Sequence, residues 1–337
     1  MTGPAALRFQ DIEAGRKADI ARALSAIEAR DGTLIHADLL DEAAKRARAH
    51  SIGLTGPPGV GKSTLTNALV HAWRARGVSV AVVAVDPSSR LTGGALLGDR
   101  TRISTDPDDT GVFVRSFAAR DRLGGLSDHA VAAIRLLGAF YDRVLVESVG
   151  IGQSESDLAF AVDTTLLCVQ PGSGDSLQFM KAGIMELPDI VLVTKSDMGR
   201  DARRALADVE GALSLAAPTR RGGEAVGANE GGGDEGGADQ GGADEGGVRV
   251  LLVSAASREG VDDVLAACEA HWTVLAADGR LAAKRAGQDR YWLRDAVRRH
   301  YGAAGLRLLQ GDGELPPATG LYRSIAEALQ SLDVRLR

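Results

Sequence analysis

Gly56-Pro57-Pro58-Gly59-Val60-Gly61-Lys62-Ser63 carries the spacing GxxxxGK[ST], with the β-prone run Ile52 to Thr55 before it and the helical run Thr64 to Arg76 after it. In that setting a glycine-rich loop curls so that backbone N–H groups converge on phosphate oxygens. The positive end of the following helix adds to the attraction. Gly56, Gly59, Val60, Gly61, Lys62, Ser63 and Thr64 are the candidate nucleotide contacts on this reading. Lys62 is placed to reach the β- and γ-phosphates, and the Ser63 hydroxyl to ligate Mg2+. The chemistry is that of a nucleoside triphosphate site.

Three acids stand where phosphate chemistry could use them. Asp86 ends the apolar run SVAVVAVD, Asp99 lies in LGDRTR, and Glu147 ends RVLVE. Carboxylates at the C-terminal tips of central parallel strands line the ligand crevice of such sheets. A magnesium ion keeps several waters, so some of these acids act through water. Ser63, Asp86, Asp99 and Glu147 form the candidate magnesium set. The bland alternative makes Asp86 and Glu147 strand-end caps and Asp99 an ordinary loop acid. Glu147-Ser148-Val149-Gly150 occupies the place of a DxxG sensor, in which the Gly150 N–H meets the γ-phosphate and its loss moves Ile151 to Glu155. Lys62, Glu147 and Gln153 are the candidate catalytic residues, with Gln153 orienting the attacking water. Arg90, Arg100, Arg102 and Arg115 could stabilise developing charge or simply be solvated.

The base is read further on. An apolar run from Asp189 to Val193 leads into Thr194-Lys195-Ser196-Asp197, the arrangement [NT]KxD, and Val253-Ser254-Ala255 follows another apolar run. In such a loop the Asp carboxylate accepts from guanine N1 and N2 while the Lys stem covers the ring. Adenine offers neither donor, which leaves a partly desolvated carboxylate unpaired at a cost of about 1–3 kcal/mol. Thr194, Lys195, Asp197, Ser254, Ala255 and Ala256 complete the candidate nucleotide contacts, and the nucleotide is GTP or GDP.

These loops need an alternating scaffold to hold them. Strands are expected at Ser51 to Thr55, Val78 to Asp86, Val112 to Arg115, Arg143 to Glu147, Thr164 to Val169, Ile190 to Thr194 and Val248 to Val253. Helical stretches separate them, the pattern of a mostly parallel sheet covered on both faces. Asp11 to Ala49 reads as helix, with Ile20, Leu24 and Ile27 on one face. Val261 to Leu275, Asp289 to Leu309 and Gly320 to Leu332 read as helices after the last strand. The fold class is α/β. The expected organisation is an N-terminal helical segment (1–49), a nucleotide-binding domain (50–259) and a C-terminal helical region (260–337).

Composition narrows the class. The chain has 337 residues, 45% hydrophobic and 25% charged, enough for a buried core in a soluble globular protein. No run reaches the about 18 apolar residues of a membrane span, and Met1 to Arg16 has no apolar signal core. Two cysteines, Cys168 and Cys268, cannot build a disulfide framework, which fits a reducing cytoplasm. Gly222 to Gly247 holds seven acids, no Lys or Arg, and 12 glycines. Without it the formal charge moves from −6 to +1, so neither nucleic acid nor a membrane surface is expected as a partner. The composition predicts a disordered acidic insertion over residues 219–247. Trp73, Trp272 and Trp292 read as packing residues, and Cys168 as core.

The segments GLTGPPGVGKST, VAVDPSSRLTGGALLGDRTRI, FVRSFAARDRLGGLS, VLVESVGIGQSESDLA and VQPGSGDSLQFMKAGIMELPDIVLVTKSD resemble the MeaB/ArgK-type GTPases. These accompany adenosylcobalamin-dependent acyl-CoA mutases such as methylmalonyl-CoA mutase. With IARALSAIEAR the likeness covers most of residues 15–200 and, more weakly, the helical C-terminus. ExxG followed by GQSE is a specific mark of the group. The resemblance implies a P-loop fold in which Lys62, Ser63, Asp86, Asp99 and Glu147 form the phosphate and magnesium site and Lys195 and Asp197 read guanine. It also implies that Gln170 to Glu186 is a further switch that contacts the mutase, and that homodimers form through the C-terminal helices. On this resemblance the GTPase is expected to gate cofactor loading and protect the mutase, without binding cobalamin itself. Ser148 for Thr, Thr194 for Asn, Arg90-Leu91 for Pro-Phe and the acidic insertion depart from the usual pattern.

Two other functions compete. A kinase passing the γ-phosphate to a transport protein, the older description of ArgK-type sequences, needs an acceptor pocket and a dedicated base. The sequence shows neither. A metallochaperone GTPase needs a His-rich tract or Cys/His pairs near the nucleotide site, and the nucleotide-loop segments carry none.

Overall fold

The computed structural model describes residues 6–29, 32–86, 106, 108–118, 126–148, 154–172, 188–220, 248–310 and 320–335. Seven strands form one sheet: β1 (His50–Thr55), β2 (Val80–Asp86), β3 (Val112–Ala118), β4 (Arg143–Glu147), β5 (Thr164–Val169), β6 (Ile190–Val193) and β7 (Arg249–Leu252). Their order is β3-β2-β4-β1-β5-β6-β7, and every pairing is parallel. The expected strands are all present, β4 and β5 with the expected bounds and the other five with ends shifted by one to three residues. β1 sits in the middle, with β4 on one side and β5 on the other. The chain order reverses there, so the loop leaving β1 opens into a crevice between diverging connections.

The strands read as almost continuous apolar runs because helices cover both faces. Ile52 and Leu54 of β1, Leu166 and Cys168 of β5, and Ile190 and Leu192 of β6 pack with α4 (Lys62–Ala75) and α8 (Val261–Ala276), including Leu65, Leu69, Trp73, Val264 and Leu265. The alternate residues face the other way. Ala81, Val83, Val85, Val144 and Val146 pack with α1 (Lys17–Ile27), α3 (Ala37–Lys45), α5 (Asp128–Gly138), α9 (Arg280–Gln310) and α10 (Leu321–Arg335). At the far edge α7 (Arg200–Arg220) covers Val191 and Val193 through Ala202 and Val209. Short α2 (Gly32–Ile35) and α6 (Ser154–Ala159) complete the described helices.

The N-terminal stretch is not one long helix. It is divided into a 3-10 turn at Phe9–Asp11 and the three helices α1, α2 and α3. Gly15 takes φ +66° and Arg16 is extended, so the chain turns before α1 begins. The apolar spacing of Ile20, Leu24 and Ile27 survives within α1, and all three are fully buried. The N- and C-terminal helices meet in one shared core. Asp41 of α3 accepts the backbone N–H groups of Tyr322 (3.0 Å) and Arg323 (2.9 Å), capping the first turn of α10. Helix α9 begins earlier than Asp289 and is broken at Gly302, whose φ/ψ of 61°/−156° is not helical.

Candidate nucleotide site

The glycine-rich loop follows β1 directly. Gly56 has φ +136°, and a Cβ there would lie 2.2 Å from the carbonyl oxygen of Cys168 on β5, so only glycine lets the loop leave the sheet at this point. Beneath it Cys168 is fully buried, and burial pushes its thiol up to about 12. It is a core residue, not a nucleophile. Gly61 is the N-cap of α4 and carries no capping side chain, so the first N–H groups of the helix are left for a ligand. Lys62 is buried and bends back over the loop, its Nζ donating to the carbonyls of Gly56 (2.7 Å) and Pro57 (3.2 Å). Val60 is buried within the loop and Thr64 is exposed on the first turn of α4.

Ser63 and Glu147 meet. Ser63 Oγ donates to Glu147 Oε1 at 2.5 Å, and Thr66 Oγ1 donates to Oε2 at 3.1 Å. Parallel register makes this possible: Glu147 ends β4 level with Leu54 of β1, one residue before the strand gives way to the loop. Ser148 follows with its hydroxyl on Thr55 Oγ1 at 3.2 Å, joining the two strand tips. Asp86 ends β2 two residues beyond Ala84, which pairs with Glu147. Oxygen donors of this kind suit a hard divalent cation, and Ser63 spends its only proton on Glu147, keeping its oxygen lone pairs for a metal. The residues present therefore fit magnesium. The Asp86 side chain, Asp99, Gly150, Gln153, Arg90, Arg100, Arg102 and the acidic stretch 222–247 lie outside the described residues. Arg115 belongs elsewhere: its guanidinium donates to Glu28 (2.8 and 3.2 Å) and Ser25 (3.2 Å), fastening α1 to the edge strand β3.

The second loop is fastened to the first. Thr194 Oγ1 donates to the Val60 carbonyl at 2.8 Å and lies 3.0 Å from that of Val169. Lys195 takes a left-handed conformation (φ 57°), and its Nζ reaches the Gly59 carbonyl (3.2 Å) and Gln170 Oε1 (2.6 Å). Asp197 is exposed, with one carboxylate oxygen accepting from buried Ser254 Oγ at 2.7 Å. The Ser196 N–H donates to the Val253 carbonyl at 3.2 Å, and Ala255 and Ala256 form the turn beyond Ser254. Thr66 and Gln170 escaped the motif reading. For Thr66 the available signal was its position three residues after Ser63, on the same face of α4. Gln170 opens the segment that the resemblance marks as a further switch, but its contact with Lys195, 25 residues away, is not legible in the sequence.

The profile of the family described as "Methylmalonyl Co-A mutase-associated GTPase MeaB" matches residues 20–304. The chain belongs to the MeaB family. This member of the family is 34% identical to the GTPase ArgK of Escherichia coli over 286 residues, 83% of this chain and 80% of that one. It is 36% identical over 245 residues to the mitochondrial methylmalonic aciduria type A homolog of Mus musculus, covering 72% of this chain and 54% of that one. A protein of Pyrococcus horikoshii named as a GTPase is 51% identical over 150 residues, 44% of this chain. The match spans about half the length of the Pyrococcus relatives, 47% and 48%. The crystal structure of a protein described as an LAO/AO transport system kinase shares the fold, with a TM-score of 0.64, 27% identity and 96% of both chains covered. Among the described residues no helix is long and apolar enough to cross a membrane, and no group of three His, Cys, Asp or Glu side chains could hold a metal.

Proposed function

We propose that the protein hydrolyses GTP to GDP and phosphate, and uses that cycle to gate adenosylcobalamin loading into a cobalamin-dependent acyl-CoA mutase and to protect the mutase. Methylmalonyl-CoA mutase or a close relative is the partner, and the work is done in the cytoplasm. One observation carries the GTPase part: the phosphate loop is joined on one side to the Glu147 carboxylate through Ser63 and on the other to the guanine loop through Lys195 and Thr194. Membership of the MeaB family supports the mutase part.

Gly56, Gly59, Val60, Gly61, Lys62, Ser63 and Thr64 cradle the phosphates, with Lys62 transferring its ammonium from the loop carbonyls to phosphate oxygens. Ser63, Asp86, Asp99 and Glu147 hold magnesium, directly or through water. Bound magnesium supplies neutralising charge on the phosphate oxygens. Gly150 senses the γ-phosphate and Gln153 orients water. Thr194, Lys195, Asp197, Ser254, Ala255 and Ala256 enclose guanine. The C-terminal helices, residues 260–337, form the homodimer contact. Cobalamin stays with the mutase.

Lys62→Ala is expected to abolish tight GTP binding in calorimetry. An unchanged affinity removes the phosphate-loop assignment. In the wild-type protein, label from the γ-phosphate of GTP is expected in inorganic phosphate, whereas label on another protein would make it a kinase. For the partner, the expected outcome is that an acyl-CoA mutase co-purifies and that GTP and GDP change its retention. No nucleotide dependence of that retention would sink the gating role.

A further inference from the structure

The Glu147 carboxylate is 5% exposed and lies at the tip of β4, held by two hydroxyls from one face of α4. The phosphate-loop pattern accounts for Ser63. It does not account for Thr66, a fully buried residue whose Oγ1 lies 3.1 Å from Glu147 Oε2. Threonine is a weak choice for a buried helix interior on packing grounds alone, because its hydroxyl must find a partner once it leaves water. Here that partner is a carboxylate, which makes the bond charge-assisted.

We propose that Thr66 is a positioning residue that fixes the Glu147 carboxylate as the proton acceptor of Ser63 and so keeps Glu147 out of the direct coordination of magnesium. The inference rests on the magnesium site proposed above. Two donors on separate oxygens fix the carboxylate plane. With Thr66 on Oε2, the Ser63 proton is drawn to Oε1, and both lone pairs of the Ser63 oxygen stay available to a cation. A direct bond from Oε2 to a metal would compete with the Thr66 hydrogen bond for that oxygen. Without the Thr66 hydroxyl the carboxylate turns more freely, Ser63 loses its fixed proton direction, and the cation is held less well. Partners one step beyond a metal's ligands act in this way generally.

The test uses the full chain and fluorescent GDP, following nucleotide release as free Mg2+ is titrated. Thr66→Val keeps the shape and removes the hydroxyl. It is expected to raise the Mg2+ concentration for half-maximal nucleotide retention by roughly 10-fold, with affinity measured in chelator unchanged. Thr66→Ser is expected to restore the wild-type midpoint. In a Glu147→Gln background the valine substitution is expected to have no further effect, an outcome that a purely packing role would not produce. Thr66→Cys keeps a weak donor, gives an intermediate midpoint, and serves the same comparison if valine prevents folding. A Thr66→Val midpoint within twofold of a magnesium-dependent wild type overturns the proposal alone. A wild-type protein whose nucleotide retention ignores magnesium overturns the site reading and this inference together.

Discussion

On the proposed reading, Asp197 carries the base discrimination as a single side chain. Its carboxylate is exposed and held through one oxygen by Ser254. Its contribution therefore comes from charge-assisted bonds to the base, worth about 1.5–3 kcal/mol. Asp197→Asn exchanges an acceptor for a donor. GTP affinity is expected to fall by roughly 10- to 150-fold, while xanthosine triphosphate, which presents a carbonyl where guanine has an amino group, gains. Competition binding with both nucleotides and ATP checks it. Identical ranking before and after the change would remove the guanine assignment. Lys195 tells a related story: its left-handed φ of 57° costs of order 1 kcal/mol for a residue with a Cβ. The contacts of its ammonium with Gly59 and Gln170 offset that cost.

At the scale of elements, helix α9 acts as a strap across the segment between α6 and β5. Arg285 donates to both oxygens of Asp163 at 2.9 Å, Gln288 Nε2 to the Val162 carbonyl at 2.7 Å, Trp292 Nε1 to the Phe160 carbonyl at 2.8 Å, and Tyr291 OH to Asp157 at 2.7 Å. Tyr291 also stacks on Phe160, with ring centroids 4.1 Å apart. Asp163 is almost fully buried at 1% exposure. Burial opposes its charge, but the Arg285 fork and the Ser51 N–H and hydroxyl hold its carboxyl below the usual carboxylate range. Arg285→Ala would leave that charge buried with Ser51 alone. The expected loss is about 3 kcal/mol of unfolding free energy, read from the denaturant midpoint at pH 7. A change below about 0.5 kcal/mol, typical of an ordinary surface residue, would refute the strap. Asp163→Asn in the same background is expected to recover part of the loss, since the amide needs no counter-charge.

Across the whole molecule, the end of the central strands opposite the phosphate loop carries a partly buried polar network. His50 Nε2 lies 2.6 Å from Thr164 Oγ1, His271 Nδ1 lies 2.7 Å from the same hydroxyl, and His271 Nε2 lies 3.4 Å from Asp189. Trp272 stacks on His50 at 4.7 Å. One hydroxyl proton serves the two rings best if His50 donates to Thr164, Thr164 donates to His271, and the His271 Nε2–H faces Asp189. That leaves His50 Nδ1 as a buried acceptor without a partner among the described residues. Burial lowers the His50 pKa to about 3, with the Arg143, His271 and Arg285 charges adding to the shift and Asp163 opposing it. Burial also lowers that of His271. As pH falls below the ordinary value of 6.5, the unfolded chain takes up the His50 proton while the folded chain refuses it until about 3. Stability present above pH 6.5 is therefore lost on acidification, at about 1.4 kcal/mol per pH unit for His50. Urea unfolding at pH 7, 6 and 5 is expected to show that decline, and His50→Gln to make it shallower. A flat profile in the wild type would mean that these rings are protonated in the fold.

Local chemistry and pattern were enough to locate the glycine-rich loop after β1, the turn after β6 and all seven strands, because each depends on neighbours in the chain. A glycine-rich turn between a strand and a helix, or an apolar run of five residues, states its own conformation. The acids at the tips of β2 and β4 could be named from sequence, but their spacing from Ser63 could not. Parallel register with β1 decides that Glu147 ends beside the loop, and the helical period decides that Thr66 shares its carboxylate. The N-terminal stretch misled as a continuous helix because its apolar period persists through turns that only packing reveals. Gly15 turns the chain there, and α3 comes to cap α10 through Asp41, 281 residues from Tyr322. Residue types fixed what each side chain could do. Which two of them touch was decided by the sheet order and by the helices closing over it, since long-range burial, not local preference, supplies the free energy of those contacts.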